Sequence, residues 1–310
     1  MKRSFRDYLL TLGLAVLIFT VAAFFLIQAA EGLMGDVVDK IGSSGEEPRT
    51  QETEPMAEEL PVGAQPQTSE DPAKKDETFT LLFLGVDYGE KNADVIFLAA
   101  VNATKKTVTV SLIPSNTVVP EATGRYKLGE LYSSRGVNFY KEFVEQETGI
   151  LPDYYVSMSM SALSNLIDFW GGLQFHVPEN MYYFDPTQNL KINLQAGNQL
   201  LTGDQAVQLV AYRGYENGST GRENLQIEFA KAFCSAFLIP ENLSRAQAIL
   251  YNVFYNVKTD FEEIDFARLG EMIFNFPSYS QEFVRIPGDA AGEYYAIRAS
   301  KAKALFSSYK

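Results

Sequence analysis

The chain has 310 residues, 46% of them hydrophobic, and a formal net charge of −13. The apolar share suffices for a sizeable core, while the acidic balance argues against a nucleic-acid-binding surface as the main business and leaves room only for a local basic pocket. One cysteine, Cys234, excludes an intrachain disulfide framework and a cysteine-rich metal site, and reads as a small core residue in an apolar helical run.

Residues 1–7 carry Lys2, Arg3 and Arg6, and residues 8–30 contain no Asp, Glu, Lys or Arg. At about 1.5 Å rise per residue that stretch crosses roughly 30 Å of hydrocarbon. Glu31, Asp36 and Asp39 follow it, so the positive-inside bias puts the N-terminus in the cytoplasm and the rest of a single-pass cell-membrane protein outside. A cleaved signal peptide is the alternative. The apolar core is long for one, no Ala-x-Ala site follows, and either reading exports the remainder. Residues 31–77 form a linker, rich in Glu, Pro, Gln, Ser and Thr from about 40 onward, that buries too little apolar surface to order itself.

The domain runs from 78 to 310. Apolar runs predict strands over 79–86, 94–101 and 107–113, the last two joined as a hairpin by the turn-forming Asn102–Lys106. Helical periodicity follows over 138–147 and 161–169, the second stopped by Gly171-Gly172. Short strands are expected over 173–177 and 190–194. Thr202-Gly-Asp-Gln205 is a capping box opening a helix to Tyr212, and 222–237 is a long amphipathic helix. Helices over 243–256 and 261–274, a strand over 282–286 and a helix over 300–307 close the chain. Interleaved helices and apolar strands imply a single α/β sandwich domain with a mixed central sheet covered by helices.

No Walker loop, Gly-x-Ser-x-Gly or His-Glu-x-x-His is present, and the lone His176 has neither triad nor metal spacing around it. The polar residues that stand out lie at element ends: Asp87 and Asp94 flank one loop, Lys127 follows the hairpin, and Arg213 and Arg222 bracket another loop with Gln226 one turn on. Carboxylates beside arginines and a lysine suit a phosphate or pyrophosphate. Ordinary helix caps and weak surface ion pairs would give the same composition.

The succession Leu82-Phe-Leu-Gly-Val-Asp87, Asp94-Val-Ile-Phe-Leu and Thr104–Pro114 resembles the opening of the LytR-CpsA-Psr domain. Gly149–Tyr155, Leu166-Ile-Asp-Phe-Trp-Gly-Gly172 with Val177-Pro-Glu179, Leu200–Val207, Ala211-Tyr-Arg213 and Gly221–Gln226 are similar to later segments of that family, in order and spacing. The resemblance implies a membrane-anchored, extracytoplasmic enzyme of bacterial envelopes, mostly Gram-positive. Such an enzyme transfers a glycopolymer from a polyprenyl pyrophosphate carrier to peptidoglycan through a phosphodiester. It also implies Mg²⁺ (or Mn²⁺) on the pyrophosphate and a hydrophobic pocket for the prenyl chain. Phe139, Phe143, Leu163, Leu166, Ile167 and Trp170 are the pocket candidates, plain core being the other reading for each.

Departures fall on the chemistry. Asn92, Ser115 and Ala211 stand where the family usually has arginine, and Asn116 where it has a carboxylate, which weakens the metal site. Matching positions keep Asp94 for the metal and the acceptor proton, with Arg213, Arg222 and Lys127 to clamp pyrophosphate and Gln226 to position it. Arg125, Arg135 and Asp87 are the candidates to compensate. Two hypotheses stand: a divergent phosphotransferase, or a catalytically degenerate lipid-binding or scaffold protein of the envelope.

Overall fold

The computed structural model describes residues 77–310, except 123, 186–189, 240–241, 243–256, 262–273 and 310. The expected membrane anchor and linker, the helix over 243–256 and nearly all of the one over 261–274 lie outside the described residues.

In chain order the elements are β1 (Thr78–Val86), β2 (Ala93–Asn102), β3 (Thr107–Leu112), β4 (Val118–Glu121), β5 (Gly124–Lys127) and α1 (Tyr132–Thr148). Then come β6 (Tyr154–Ser159), α2 (Met160–Phe169), β7 (Leu173–Val177), β8 (Met181–Asp185), β9 (Leu190–Leu194) and β10 (Gly197–Leu201). The rest are α3 (Gly203–Ala211), α4 (Ser219–Phe237), β11 (Val257–Thr259), β12 (Ser280–Arg285), β13 (Gly288–Ala291), β14 (Tyr294–Ile297) and α5 (Ala299–Leu305). The central sheet has six strands in the order β11-β6-β1-β2-β3-β12. It is mixed, as expected: β1–β2 and β2–β3 are antiparallel, whereas β6 joins β1 and β12 joins β3 in parallel.

Local chemistry accounts for the boundaries. Thr202 and Gln205 form both halves of the capping box that starts α3. Ser159 caps α2 by accepting from Ala162 N–H. α1 begins before the expected residue 138, but its first turn is set off at Gly136, whose φ of 71° a side chain would resist.

The pleat of β1 and β2 divides two different environments. Leu82, Leu84, Ile96, Leu98 and Ala100 face α1, α5 and Phe306, and all are fully buried. Phe79, Leu81, Phe83, Val95, Phe97 and Ala99 face the other way, toward α2 and α4, where Leu81, Phe83 and Ala99 are only partly buried. Interior strands with one half-bare apolar face mark a hollow inside the sandwich.

Candidate functional site

That hollow is a cavity of about 240 Å³. Its floor is the sheet face just described, and Met160 and Leu163 of α2 and Phe229, Ala230, Phe233 and Cys234 of α4 close it. Among the described residues, its polar lining side chains apart from the Cys234 thiol are Ser159 and Gln226. Of the six pocket residues expected from sequence, only Leu163 lines it. Phe139 and Phe143 belong to the α1 core on the opposite face of the sheet. Ile167 is buried between α2 and α3. Leu166 clusters with Met158 and Ala162, and Trp170 packs its ring on Phe237 at 5.1 Å. Helical periodicity identifies which residues are apolar but not which sheet face they meet. The lining comes largely from β1, β2 and α4 instead.

Charged groups gather where Val95, Val210 and Gln226 bring the lining next to Asp94, Arg213 and Arg222. Asp94 is the second residue of β2, just past a register shift at Gly85/Val86. Arg213 follows the extended residue Tyr212 that ends α3, and its Nη2 donates to Asp94 Oδ1 at 2.8 Å. Arg222 lies near the start of α4 and its Nη2 donates to Ser115 Oγ at 3.2 Å. Ser115 is held against the start of β2 through Gly129, whose N–H bonds the Ser115 carbonyl and where a Cβ would stand 2.7 Å from the Ala93 oxygen. Burial pushes the Arg222 pKa down and Arg213 pushes the same way, against Asp94 and Glu223. The expected trio of Asp94, Arg213 and Arg222 is therefore brought together from three separate segments.

Two donors in this cluster are unmet. Arg222 Nε and Gln226 Nε2 are buried without a partner, one helical turn apart, and Gln226 is 4% exposed. An orphaned buried donor costs about 1–3 kcal/mol, so the pair is poised for an acceptor such as a phosphate oxygen.

Other expected residues are engaged elsewhere. Lys127 Nζ pairs with Glu293 at 2.6 Å and lies over the Tyr294 ring, so it joins the β13–β14 hairpin and not the arginine pair. Glu293 raises its pKa first by hydrogen bonding and then by charge. Of the possible compensators, Arg135 pairs with Glu121. Asp87 uses one oxygen to accept Lys91 N–H and the other to accept Asn92 N–H and Nδ2, closing the loop before β2. Arg125 lies exposed on the β4–β5 hairpin. Sequence reading missed Glu223, which is 3% exposed beside Arg222 and accepts from Arg285 at 2.9 Å. No spacing signal links residues 62 apart.

For a divalent cation the protein offers little. Among the described residues no three His, Cys, Asp or Glu side chains form a metal group. Asp94 has one oxygen taken by Arg213, and both oxygens of Asp87 are occupied by its own loop. Asn116 donates its amide to the Glu293 carbonyl at 3.2 Å, with Oδ1 buried and unpaired. Asp94 fits as a single carboxylate ligand, with any remaining ligands drawn from substrate phosphates and water.

A family model described as the LytR_cpsA_psr family matches residues 43–310. The chain belongs to this family. Among curated relatives, a protein of Enterococcus faecalis named polyisoprenyl-teichoic acid–peptidoglycan teichoic acid transferase TagU is 29% identical over 203 residues, 62% of this chain and 65% of its own length. A Corynebacterium glutamicum protein named probable cell wall biosynthesis protein LcpB is 30% identical over 168 residues, 54% of this chain but 40% of its own. The chain thus spans less than two thirds of either relative. The crystal structure of Bacillus subtilis TagV superposes with a TM-score of 0.61 at 21% identity, covering 76% of this chain and 98% of that one, and so shares the LytR_cpsA_psr-family fold.

Proposed function

We propose that this chain is a cell-envelope phosphotransferase that attaches a polyprenyl-pyrophosphate-linked glycopolymer to peptidoglycan through a phosphodiester. The observation that carries the reading is the junction of an apolar cavity with two unmet buried donors and an Asp94–Arg213–Arg222 cluster. A molecule with a long hydrocarbon tail and a pyrophosphate head satisfies both halves at once. The name of the Enterococcus faecalis relative supports the same donor and acceptor classes.

The prenyl chain lies in the cavity, with its pyrophosphate at Arg213, Arg222 and Gln226. A peptidoglycan hydroxyl oxygen attacks the phosphorus that bears the glycan. A new P–O bond forms, the bond to the bridging oxygen breaks, and polyprenyl monophosphate leaves. Asp94 takes the hydroxyl proton. Arg213 and Arg222 neutralise charge as it grows on the leaving phosphate, the kind of donor whose loss costs about 10²–10³ in rate. Mg²⁺ or Mn²⁺ held by Asp94 against the phosphates would supply further neutralisation. The domain works outside the membrane, on a single N-terminal span with the N-terminus cytoplasmic.

One observation favours a second reading, a lipid-binding protein without turnover. The positions Asn92, Ser115 and Ala211 lack guanidinium groups, and neither Arg135 nor Asp87 is free to stand in for what is missing. The full-length protein in nanodiscs, given a polyprenyl-pyrophosphate glycan, peptidoglycan and Mg²⁺, separates the two. Transfer establishes the enzyme, whereas tight lipid binding with no phosphodiester product establishes the binding protein.

A further inference from the structure

α4 carries Arg222 and Gln226 on its inner face, and its outer face borders two hollows. One, of about 800 Å³, lies between α4 and the end of β7 and reaches Gly221, the residue before Arg222. The other, of about 480 Å³, lies between α4 and the β12–β13 segment that carries Arg285. Both include Asn224 and Glu228, exposed residues at i and i+4 on α4, so the hollows meet along that ridge.

The lining differs in kind from the arginine cluster. Phe175 and Tyr215 offer ring surface in the larger hollow, and the Tyr215 hydroxyl is buried without a partner. His176 lies beside them with Nδ1 held by Asn198 Oδ1 at 2.7 Å, which fixes the ring and leaves Nε2 for another bond. Among the described residues the charged groups of the larger hollow are Glu179, Glu216 and Glu228 against Lys231, an acidic balance. The smaller hollow is lined by Glu228 and by Arg285, which already bonds Glu223. Ring faces with scattered amide, carboxylate and imidazole groups suit sugar rings and their hydroxyls. The acidic balance disfavours a phosphate-bearing polymer.

We infer that these two hollows form the groove for the hydroxyl-bearing acceptor, a phosphate-free glycan chain laid across the Asn224–Glu228 ridge and led past Gly221 to Arg222. The inference rests on the transferase reading for what the acceptor does once it arrives. Its binding, however, is measurable without turnover. The groove and the prenyl cavity flank opposite faces of α4, so donor and acceptor approach the arginines from different sides.

The test uses the full-length protein in nanodiscs and a soluble, uncrosslinked peptidoglycan glycan fragment, with binding followed by NMR line broadening and calorimetry. Phe175→Ala and the double variant Asn224→Ala with Glu228→Gln are compared with wild type, the latter pair being exposed and safe for the fold. The expected result is at least a tenfold weaker fragment Kd in both variants, with farnesyl pyrophosphate binding unchanged. Where transfer is measurable, the acceptor KM rises with kcat unchanged. Fragment binding that ignores these substitutions overturns the groove, as does absence of fragment binding to wild type or preference of the hollows for polyglycerol phosphate. Failure of transfer with groove-dependent fragment binding intact would instead strike the transferase reading and leave the groove standing.

Discussion

Ala99→Phe puts a ring into the cavity from the middle of β2, where Ala99 sits between Leu81 of β1 and Val110 of β3. The ring would cover apolar wall that Leu81, Phe83 and Ala99 leave half-bare in this hollow of about 240 Å³, against a total stability of about 5–15 kcal/mol. Burying a Phe side chain recovers about 1.5–3 kcal/mol, less whatever strain the ring imposes. A net gain of about 1–2 kcal/mol raises Tm by roughly 2–8 °C in a domain of this size. The same ring displaces hydrocarbon: each five-carbon unit excluded forfeits about 4 kcal/mol at ~0.8 kcal/mol per carbon, close to a thousandfold in affinity. Thermal unfolding of the full-length protein, with and without farnesyl pyrophosphate, reads both effects. A stabler protein that no longer gains Tm from the lipid is expected. A destabilised variant that still binds lipid with wild-type affinity would show that the cavity is a packing gap and refute the reasoning.

Arg213→Ala breaks an ion pair whose arginine side chain is 65% exposed, so Tm should hardly move, while transfer falls by about 10²–10³; equal loss of stability and activity would contradict the assignment. Arg285→Ala leaves the Glu223 carboxylate buried without its donor and should cost about 1.5–3 kcal/mol in urea unfolding. Adding Glu223→Gln should recover part of that, and strict additivity of the two would show them uncoupled. Burial pushes the Cys234 thiol up to about 12 from 9.0, so at pH 8 alkylation in the folded protein should run far slower than in urea. The folded rate should still be rising between pH 10 and 11, where the unfolded rate has levelled. Asn116→Asp adds a carboxylate for Mn²⁺ but sets it against the Glu293 carbonyl that the amide now bonds. Tighter Mn²⁺ binding by calorimetry should come with a stability loss of about 0.5–1.5 kcal/mol for the one exposed hydrogen bond given up.

The strands that alternate or run apolar, β1 to β3 and β7, are legible in the sequence because burial on one or both faces writes itself into the side chains. β6 is not, although it is an inner strand paired in parallel with β1. Its Ser157 is 3% exposed and satisfied by the Tyr132 hydroxyl at 2.7 Å, so a buried position reads as polar. The β4–β5 hairpin escapes notice because Pro120 interrupts one strand and the other, Gly124-Arg-Tyr-Lys127, is polar. The family resemblance singles out Asp94, Arg213, Arg222 and Gln226, and the fold places these side chains near one another. Lys127 stands at the matching place yet turns to Glu293, because a side chain's partner depends on a hairpin more than 160 residues away. The cavity lining was out of reach for a related reason: choosing between the two faces of β1 requires knowing which helix covers which.

The family resemblance puts Asn92, Ser115 and Ala211 where arginine is usual, and under the proposed function that bears on energy in two directions. Arg213 and Arg222 already repel each other, and burial works against Arg222 carrying charge. Additional guanidinium groups there would add to that repulsion until a pyrophosphate arrived to offset it. Ser115 instead accepts a hydrogen bond from Arg222, and Asn92 ties down the Asp87 loop. On that reading the chain holds its site with less internal repulsion and also with less attraction for phosphate. Under the proposed function, affinity for a lipid-linked donor then comes more from hydrocarbon in the cavity than from charge. The consequence is a salt dependence of donor binding shallower than an arginine-rich site would give, since apolar burial is not screened.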